Sequence, residues 1–172
     1  RYTFLDSEIG NIWKAAYKDI LNINVIIDNI DKQNGSVLNN LDSKLIKGDL
    51  LALRAFLHFD MLRLFGNTYW RDNETPVIPY NNSSEAMAHD LRSAKSIVYD
   101  YLIPDLDKAE EYLQEVDPVI KDGPLASNND NGDNYRRYRQ LRLNYYAVAL
   151  LKSRIYLWAE DYNNALLEAK KI

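Results

Sequence analysis

Hydrophobic residues recur along most of this chain with the spacing of amphipathic helices. Starting at Ile9, apolar residues fall three or four positions apart, which predicts a first helix that ends at the turn-forming sequence Asn34-Gly35-Ser36. Asp6 or Ser7 is its predicted N-cap, because a short polar side chain can accept a hydrogen bond from a free backbone amide of the first turn. The inward stripe comprises Ile9, Trp13, Ala16, Tyr17, Ile20, Ile23, Asn24 and Ile27.

The second helical segment, from Lys44 to Phe65, is apolar on two faces. A helix that is hydrophobic on two sides is buried on two sides, so this one is predicted to lie between neighbouring helices. Gly66 is the predicted stop. One stripe comprises Ala52, Leu53, Phe56 and Phe59, and the other comprises Leu50, Leu57, Met61 and Leu64. We expect Phe56, Phe59, Leu57 and Met61 to be buried together.

Two segments lack a helical pattern. Residues 67–82 are predicted to form an irregular aromatic loop, because Pro76 and Pro79 each bias the preceding residue away from the helical region. The polar stretch at about 115–135 is predicted to be a second irregular loop, since it is rich in Asn, Asp and Gly.

A third helical tract is predicted between these loops, from about Glu85 to Leu113. Pro104 lies inside it and cannot donate a backbone hydrogen bond, so we expect a kink or break near residues 100–103. The predicted inward positions are Val98, Tyr101, Leu102, Leu106, Ala109 and Leu113.

Two final helices are predicted at about 138–159 and 161–172, joined by a tight turn at Glu160-Asp161. The residues Tyr156, Tyr162, Ala165 and Ala169 have the spacing of the second half of a tetratricopeptide (TPR) unit, in which a small residue lets two antiparallel helices approach closely. An ordinary helical hairpin is the alternative. The chain is therefore predicted to be all-α, built from TPR-like antiparallel helix pairs in an α-α superhelix, with irregular loops at about 67–82 and 115–135.

Composition narrows the function classes. The chain has 172 residues, 47% of them apolar, which argues against a disordered segment. The net charge of −4 provides no overall field to attract nucleic acid, and no apolar run approaches the roughly 18 residues that span a bilayer. The absence of cysteine excludes disulfides, thiolate metal sites and cysteine nucleophiles. Because the first residue is Arg1 and the last segment is still helix-like, we expect the chain to be an excised piece of a longer polypeptide.

Three stretches resemble one known family. Leu51 to Gly66 (LALRAFLHFDMLRLFG) resembles the second-helix signature of the SusD/RagB family, and Asp105 to Ala109 resembles its intervening helix. Arg142 to Ala159 (RLNYYAVALLKSRIYLWA) resembles its later TPR helix, which Asp161 to Ala165 extends into a pair. The three stretches occur in the family's order and at plausible distances.

The resemblance implies an all-α, TPR-containing, non-catalytic protein without a cofactor. SusD-like proteins are lipoproteins on the outer surface of the outer membrane, where they bind glycans or other nutrients and act as the lid of a SusC-like TonB-dependent transporter. The resemblance implies that residues 1–172 form a single TPR-like helical domain, the N-terminal part of such a protein. The chain contains no lipid-anchor Cys, so we expect it to reach a membrane only through an anchor that it lacks.

The loop after the second helix carries the best candidate binding residues, Asn67, Tyr69, Trp70 and Arg71. Sugars have apolar C–H faces and a rim of hydroxyl groups, so aromatic rings combined with amide and guanidinium donors suit them. Members of the family place sugar-contacting residues in loops near this helix end. The alternative is that Tyr69 and Trp70 fill the core beneath the loop.

Other motifs are weaker. The arginines between Tyr135 and Arg142 could contact phosphates, but an ion-paired or solvated helix face is the better interpretation in an acidic chain, and no nucleic-acid partner is expected. The segment 127–138 fails the EF-hand pattern, although Asn128, Asp130 and Asp133 could form a weak ion site.

Catalytic and metal motifs are also lacking in the sequence. His58 and His89 have no metal-ligand spacing and are expected to be core or surface residues. Glu110 and Glu111 are adjacent on a helix and face different directions, unlike a glycosidase pair. Neither an enzyme nor a metal site is predicted.

Two functions therefore remain for this sequence. The first is a cell-surface glycan- or oligosaccharide-binding protein that works with a SusC-like transporter in carbohydrate uptake, with this chain as its TPR scaffold. The second is a TPR-type protein–protein interaction scaffold that binds no sugar.

Overall fold

The computed structural model describes residues 2–33, 35–124 and 135–172, with side chains from residue 7 onward. Helices dominate these residues, and one pair of short strands accompanies them. The elements are α1 Tyr2–Lys32, α2 Asn40–Phe65, β1 Pro76–Pro79, β2 Leu91–Ser93, α3 Ala94–Ser96, a π-helix Ile97–Leu102, α4 Ile103–Val116, α5 Val119–Asp122, a 3₁₀ turn Arg139–Leu141, α6 Tyr145–Trp158 and α7 Tyr162–Ala169. The predicted all-α fold of TPR-like helix pairs is confirmed.

Helix α2 lies at the centre of the fold, where it packs against α1, α4, α6 and β1. The prediction that it lies between neighbours is confirmed. Its detailed faces differ from the predicted stripes, because Phe59 and Met61 are buried while Phe56 and Leu57 are only half-buried. Leu53 and Leu64 are exposed. The buried positions of α2 are Leu45, Gly48, Leu51, Ala52, Arg54, Ala55, His58, Phe59, Met61 and Leu62.

Gly48 allows α2 to approach α4 closely. A Cβ atom placed on Gly48 would lie 2.6 Å from Cγ of Leu113 and 3.4 Å from the carbonyl oxygen of Ala109. Real carbon atoms do not approach so closely, so a side chain at this position would require either Leu113 or the two helices to shift. The close contact buries Leu106, Ala109 and Leu113 on α4 as predicted.

The third helical tract begins at Ala94 rather than at Glu85. Ser93 caps it, because its side chain accepts a hydrogen bond from the backbone amide of Ser96. The kink expected near Pro104 takes the form of a π-helix over Ile97–Leu102, in which the amide of Ile103 donates to the carbonyl of Val98, five residues earlier. A wider turn of this kind accommodates the hydrogen bond that proline cannot make, and the chain stays helical.

Part of the predicted 67–82 loop is a strand. β1 pairs antiparallel with β2, with Pro76 opposite Ser93 and Pro79 opposite Leu91, and the register shifts between Pro76 and Ile78. The prolines exclude a helix but permit extended backbone at the edge of so small a sheet. The predicted 115–135 loop likewise contains the short helix α5.

Two helices, α1 and α6, begin at residues other than those predicted. α1 begins at Tyr2, so Asp6 and Ser7 lie inside it and neither is the N-cap; in the sequence, Leu5 and Ile9 already have helical spacing. α6 begins at Tyr145 rather than at Tyr138, because Tyr138 adopts a left-handed conformation (φ 53°) that ends any helix there. Asn144 then caps α6 by accepting from the amide of Ala147 (2.8 Å).

Helices α6 and α7 form the predicted antiparallel pair. The hydroxyl of Ser153 on α6 donates to the carbonyl of Ala165 on α7 (2.9 Å). Lys152, one residue earlier, pairs with Glu168, three residues later (2.8 Å), so the two helices run in opposite directions. The small side chain of Ala165 is buried at this contact, as the TPR pattern predicts.

His58 is a core residue with both ring nitrogens hydrogen-bonded. The backbone amide of Asn81 donates to Nε2 (3.0 Å), so the proton lies on Nδ1, which donates to the carbonyl of Arg54 (2.9 Å). The imidazole also stacks on Tyr80, with 3.8 Å between ring centroids. Burial lowers the pKa of His58 to about 3. Neutral His58 therefore links the segment after β1 to α2 through these two hydrogen bonds.

The stability of the protein is expected to fall as the pH is lowered from 7 to 5. In the unfolded chain His58 titrates near 6.5, and in the folded chain near 3, so the unfolded state binds more protons in this window. Because the folded pKa is depressed, the stabilisation is complete above 6.5 and is lost as the pH falls. The loss from this residue is about 2 kcal/mol between pH 7 and 5, measurable by urea unfolding.

The variant His58→Gln serves as the control, because it removes this titration. Its free energy of unfolding should change less between pH 7 and 5 than that of the wild type. Parallel pH profiles for the two proteins would show that His58 does not titrate with a lowered pKa.

Candidate ligand-binding site

The aromatic loop, residues 67–72, begins directly after α2. Gly66 ends the helix because its backbone is extended (ψ 171°), while its amide still donates to the carbonyl of Leu62 (2.8 Å). The loop closes on itself, since the amides of Arg71 and Asp72 both donate to the carbonyl of Thr68, at 2.9 and 3.1 Å. A buried helix thus holds one end of a compact turn.

Asp72 holds the other end of the turn. Its carboxylate accepts from the side-chain amide of Asn67 (3.0 Å) and from the backbone amides of Glu74 (3.2 Å) and Thr75 (3.0 Å). Hydrogen bonds from the side chain and backbone of Thr75, together with those from Glu74 and Asn67, lower the pKa of Asp72. The carboxylate therefore stays charged and keeps the turn closed at neutral pH.

The four predicted site residues divide into two supporting and two exposed ones. Asn67 and Tyr69 are half-buried, and the Tyr69 ring meets Trp158 at 5.5 Å between centroids with an interplanar angle of 63°. Trp70 is 69% exposed, and Arg71 is exposed beside it. Tyr69 therefore packs against the interior, whereas the indole of Trp70 faces solvent. An exposed indole on an anchored turn is well placed to stack on a flat apolar surface.

A groove between α2 and α6 adjoins this loop and was not foreseen from the sequence. Its volume is about 260 Å³. Its lining residues are Phe59, Arg63, Arg154, Leu157 and Trp158, and we call it the Arg154 groove. The helical spacing of Arg154 and Trp158, four residues apart, was the only local sign that they share a face.

The remaining sequence candidates take structural roles or lie outside the description. Arg136 pairs with Asp42 (2.6 Å), and Arg139 is fully buried against Asp49 and Asp117. The expected ion pairing is confirmed, but Arg139 lies in the interior rather than on a helix face. Asn128, Asp130 and Asp133 fall outside the described residues.

Glu110 and Glu111 have separate partners, as their adjacent positions imply. Glu110 pairs with Lys152 and Lys171, whereas Glu111 pairs with Lys108. Across residues 2–33, 35–124 and 135–172, no group of three His, Asp or Glu side chains is placed to hold a metal ion. The same residues include no helix that is both long and apolar enough to cross a membrane.

A larger cavity, about 410 Å³, lies among the ends of α1, α2 and α4. Its lysines already have partners, because Lys47 pairs with Asp31 (2.5 Å) and Lys44 pairs with Glu115 (2.6 Å). The ring of Tyr112 in its wall already makes cation–π contacts. The ammonium groups of Lys47 and Lys108 lie 5.2 and 4.8 Å from the ring centroid. The aromatic loop therefore offers the better surface for a ligand.

Comparison with known proteins identifies the family. A SusD-like family model, described as starch-binding associating with outer membrane, matches residues 1–124. The chain belongs to this SusD-like family. The resemblance seen in its helices is thereby confirmed. A comparison with curated proteins found no match.

A solved structure supports the fold of this SusD-like chain. The crystal structure of a SusD-like carbohydrate binding protein from Bacteroides vulgatus superposes with a TM-score of 0.71 at 21% sequence identity. The match covers 93% of this chain and 30% of the Bacteroides vulgatus chain. The present chain thus corresponds to less than a third of that SusD-like protein, and at this identity the likeness concerns the fold.

Proposed function

We propose that this SusD-like protein is a non-catalytic, cell-surface glycan-binding protein that acts with a SusC-like TonB-dependent transporter in carbohydrate uptake. In this proposal the present chain supplies the TPR scaffold, and a lipid anchor outside it holds the protein on the outer membrane. The family description, starch-binding associating with outer membrane, and the carbohydrate-binding function given for the Bacteroides vulgatus protein support the proposal.

The observation that carries the proposal is the exposed indole of Trp70 on an anchored loop. The side chain of Trp70 is 69% exposed directly after a buried helix, so its ring is accessible for stacking on the apolar face of a sugar. The hydrogen bond between Asn67 and Asp72 and the packing of Tyr69 on Trp158 fix the backbone beneath it. A rigid support of this kind reduces the entropy lost when a sugar stacks on the ring.

Arg71 completes the proposed contact. Arg71 is exposed and follows Trp70 in the chain, and hydroxyl groups on the rim of a sugar ring can accept hydrogen bonds from its guanidinium. In the proposed site Trp70 and Arg71 contact the glycan, while Asn67 and Tyr69 hold the loop in shape.

The variant Trp70→Ala in the full-length protein is expected to bind its glycan about tenfold more weakly, a change of ~1.4 kcal/mol. Loss of one stacked sugar ring accounts for this size, since aromatic pairing contributes ~0.5–1.5 kcal/mol beyond area burial. The free energy of unfolding should change by less than about 0.5 kcal/mol, because the side chain is at the surface. A glycan array that includes malto-oligosaccharides selects the ligand, and calorimetry gives the affinities.

Tyr162→Ala is the matched control, because Tyr162 is an aromatic residue of similar exposure (63%) on α7. Its glycan affinity should equal that of the wild type. Unchanged affinity in Trp70→Ala, or a large loss of its stability, would remove Trp70 from the ligand surface.

The second candidate function, a protein-interaction scaffold, is favoured by the outer face of α6 and α7. Several large apolar side chains there are about half exposed or more, namely Leu150, Leu157, Leu166 and Leu167. Such a face suits contact with another protein surface. A full-length protein that binds no glycan on the array would favour this candidate over the first.

A further inference from the structure

The Arg154 groove combines an aromatic floor with a cationic rim. Phe59 and Trp158 meet edge to face at its base, with 5.8 Å between ring centroids. The guanidinium of Arg63 lies over the Phe59 ring at 5.3 Å, and the exposed Arg154 lines the groove from α6. Apolar walls beside a cation are suited to a ligand that is part apolar and part anionic.

Arg154 keeps its charge available. Arg63 donates to the carboxylate of Asp60 on its own helix, so its charge is shared. Arg154, in contrast, forms no hydrogen bond or ion pair with any residue that the structure describes. A guanidinium has five N–H donors in a planar fork that matches the oxygens of a carboxylate or sulfate.

The groove adjoins the base of the aromatic loop through Trp158. Trp158 belongs to its wall and also supports Tyr69, whose ring lies 5.5 Å away, and Trp70 follows Tyr69 in the chain. The volume of about 260 Å³ is suited to a single sugar unit rather than to an oligosaccharide.

We infer that the Arg154 groove binds an anionic sugar unit, with Arg154 as the primary partner of its carboxylate or sulfate group and Arg63 as a second donor. The half-buried Trp158 and the exposed Leu157 contact the apolar part of the same unit, while Phe59 lies buried beneath them. The inference rests on the proposed function, since it names acidic glycans as the ligand class of that surface. The shared chemistry is an anionic group on a sugar, and uronates and sulfate esters are its two sources.

The test is a titrated glycan array on the full-length protein, with neutral, uronate-containing and sulfated oligosaccharides. The array includes matched pairs that differ only in the anionic group, such as trigalacturonate and its carboxyl-reduced form. The wild type is expected to bind an anionic glycan about tenfold more tightly than its neutral match. Arg154→Gln should abolish this preference, so that the affinity for an anionic glycan falls to that of its neutral match. Added salt should weaken the binding of anionic glycans more than the binding of neutral ones.

Arg92→Gln is the control for the loss of one positive charge, because Arg92 is an exposed arginine on β2, outside the groove lining. It should retain the anionic preference. A preference for uronates or for sulfated glycans that disappears in Arg154→Gln supports the inference and identifies the source of the anion.

Two results would overturn the inference and separate it from the proposed function. If the wild type binds matched neutral and anionic glycans equally, or if Arg154→Gln keeps the preference, the anionic groove is wrong. The proposed function then still stands provided that Trp70→Ala weakens binding. If the full-length protein binds no glycan at all, both fall together.

Discussion

Replacing Arg139 with alanine is expected to lower the free energy of unfolding by about 3–5 kcal/mol. The guanidinium is fully buried and makes two bidentate contacts, with Asp117 (2.9 and 2.9 Å) and with Asp49 (2.8 and 2.7 Å). The side chain of Asp117 has no exposed surface, and that of Asp49 is 16% exposed. Without Arg139 two carboxylates would remain together in the interior with their shared cation removed.

The contacts made by these two carboxylates explain why the loss of Arg139 should destabilise the whole fold. Asp49 belongs to α2 and also accepts from the hydroxyl of Tyr135 (2.9 Å). Asp117 follows α4 and accepts from the backbone amides of Val119 and Tyr145, both at 3.1 Å. The cluster thus joins α2, the end of α4 and the start of α6, three elements that are distant in sequence.

Arg136→Ala provides a matched control three residues away. Arg136 also pairs with an aspartate of α2, Asp42, but both side chains are about 30% exposed (30% and 29%). Water screens this pair, so its loss should cost no more than about 1 kcal/mol. Urea denaturation of both variants measures the two free energies of unfolding. Equal decreases would show that the buried ion pairs of Arg139 stabilise the protein no more than the exposed pair of Arg136.

The arginine cluster shows where sequence reasoning reached its limit. The sequence correctly indicated ion pairing among residues 135–142, but it suggested a helix face, and Arg139 instead lies in the interior. Its partner Asp49 is 90 residues earlier in the chain, and its partner Asp117 is 22 residues earlier. No local periodicity encodes a contact across such separations, whereas the spacing within a helix does encode which face is apolar.

The same distinction separates the confirmed elements from the corrected ones. The inward positions of α4, such as Leu106 and Leu113, follow a strict helical period and were predicted from it. The β1–β2 pair depends on a contact between two segments, neither of which has a strand pattern of its own, and it was missed. The burial of Arg54 on α2 was also missed, since it requires Asp105 on α4, whose carboxylate accepts two hydrogen bonds at 2.7 and 2.6 Å.

In the candidate site, too, the part encoded by a local pattern was predicted and the part that depends on distant segments was missed. The aromatic loop was predicted from residue types within a few positions of one another. The Arg154 groove arises only when α6 packs on α2 and brings Trp158 beside Phe59 and Tyr69. A ligand surface built from two distant helices could not be read from either helix alone.

Phe59→Ala is expected to lower the free energy of unfolding by about 3–5 kcal/mol, the usual cost of deleting a buried aromatic side chain. Phe59 is 2% exposed and lies where α2 meets α6, with the Trp158 ring at 5.8 Å. Removing its ring leaves a cavity between two helices that cannot close without moving Trp158, and Trp158 also supports Tyr69. Thermal melting and urea denaturation measure the loss.

Leu64→Ala on the same helix is the control for this prediction. The sequence pattern assigned Leu64 to an inward stripe, yet it is 63% exposed, so its truncation should change the free energy of unfolding by less than about 0.5 kcal/mol. The contrast tests which faces of α2 are buried. Similar losses in Phe59→Ala and Leu64→Ala would mean that α2 is rotated relative to α6, and the Arg154 groove between these helices would then not exist in this form.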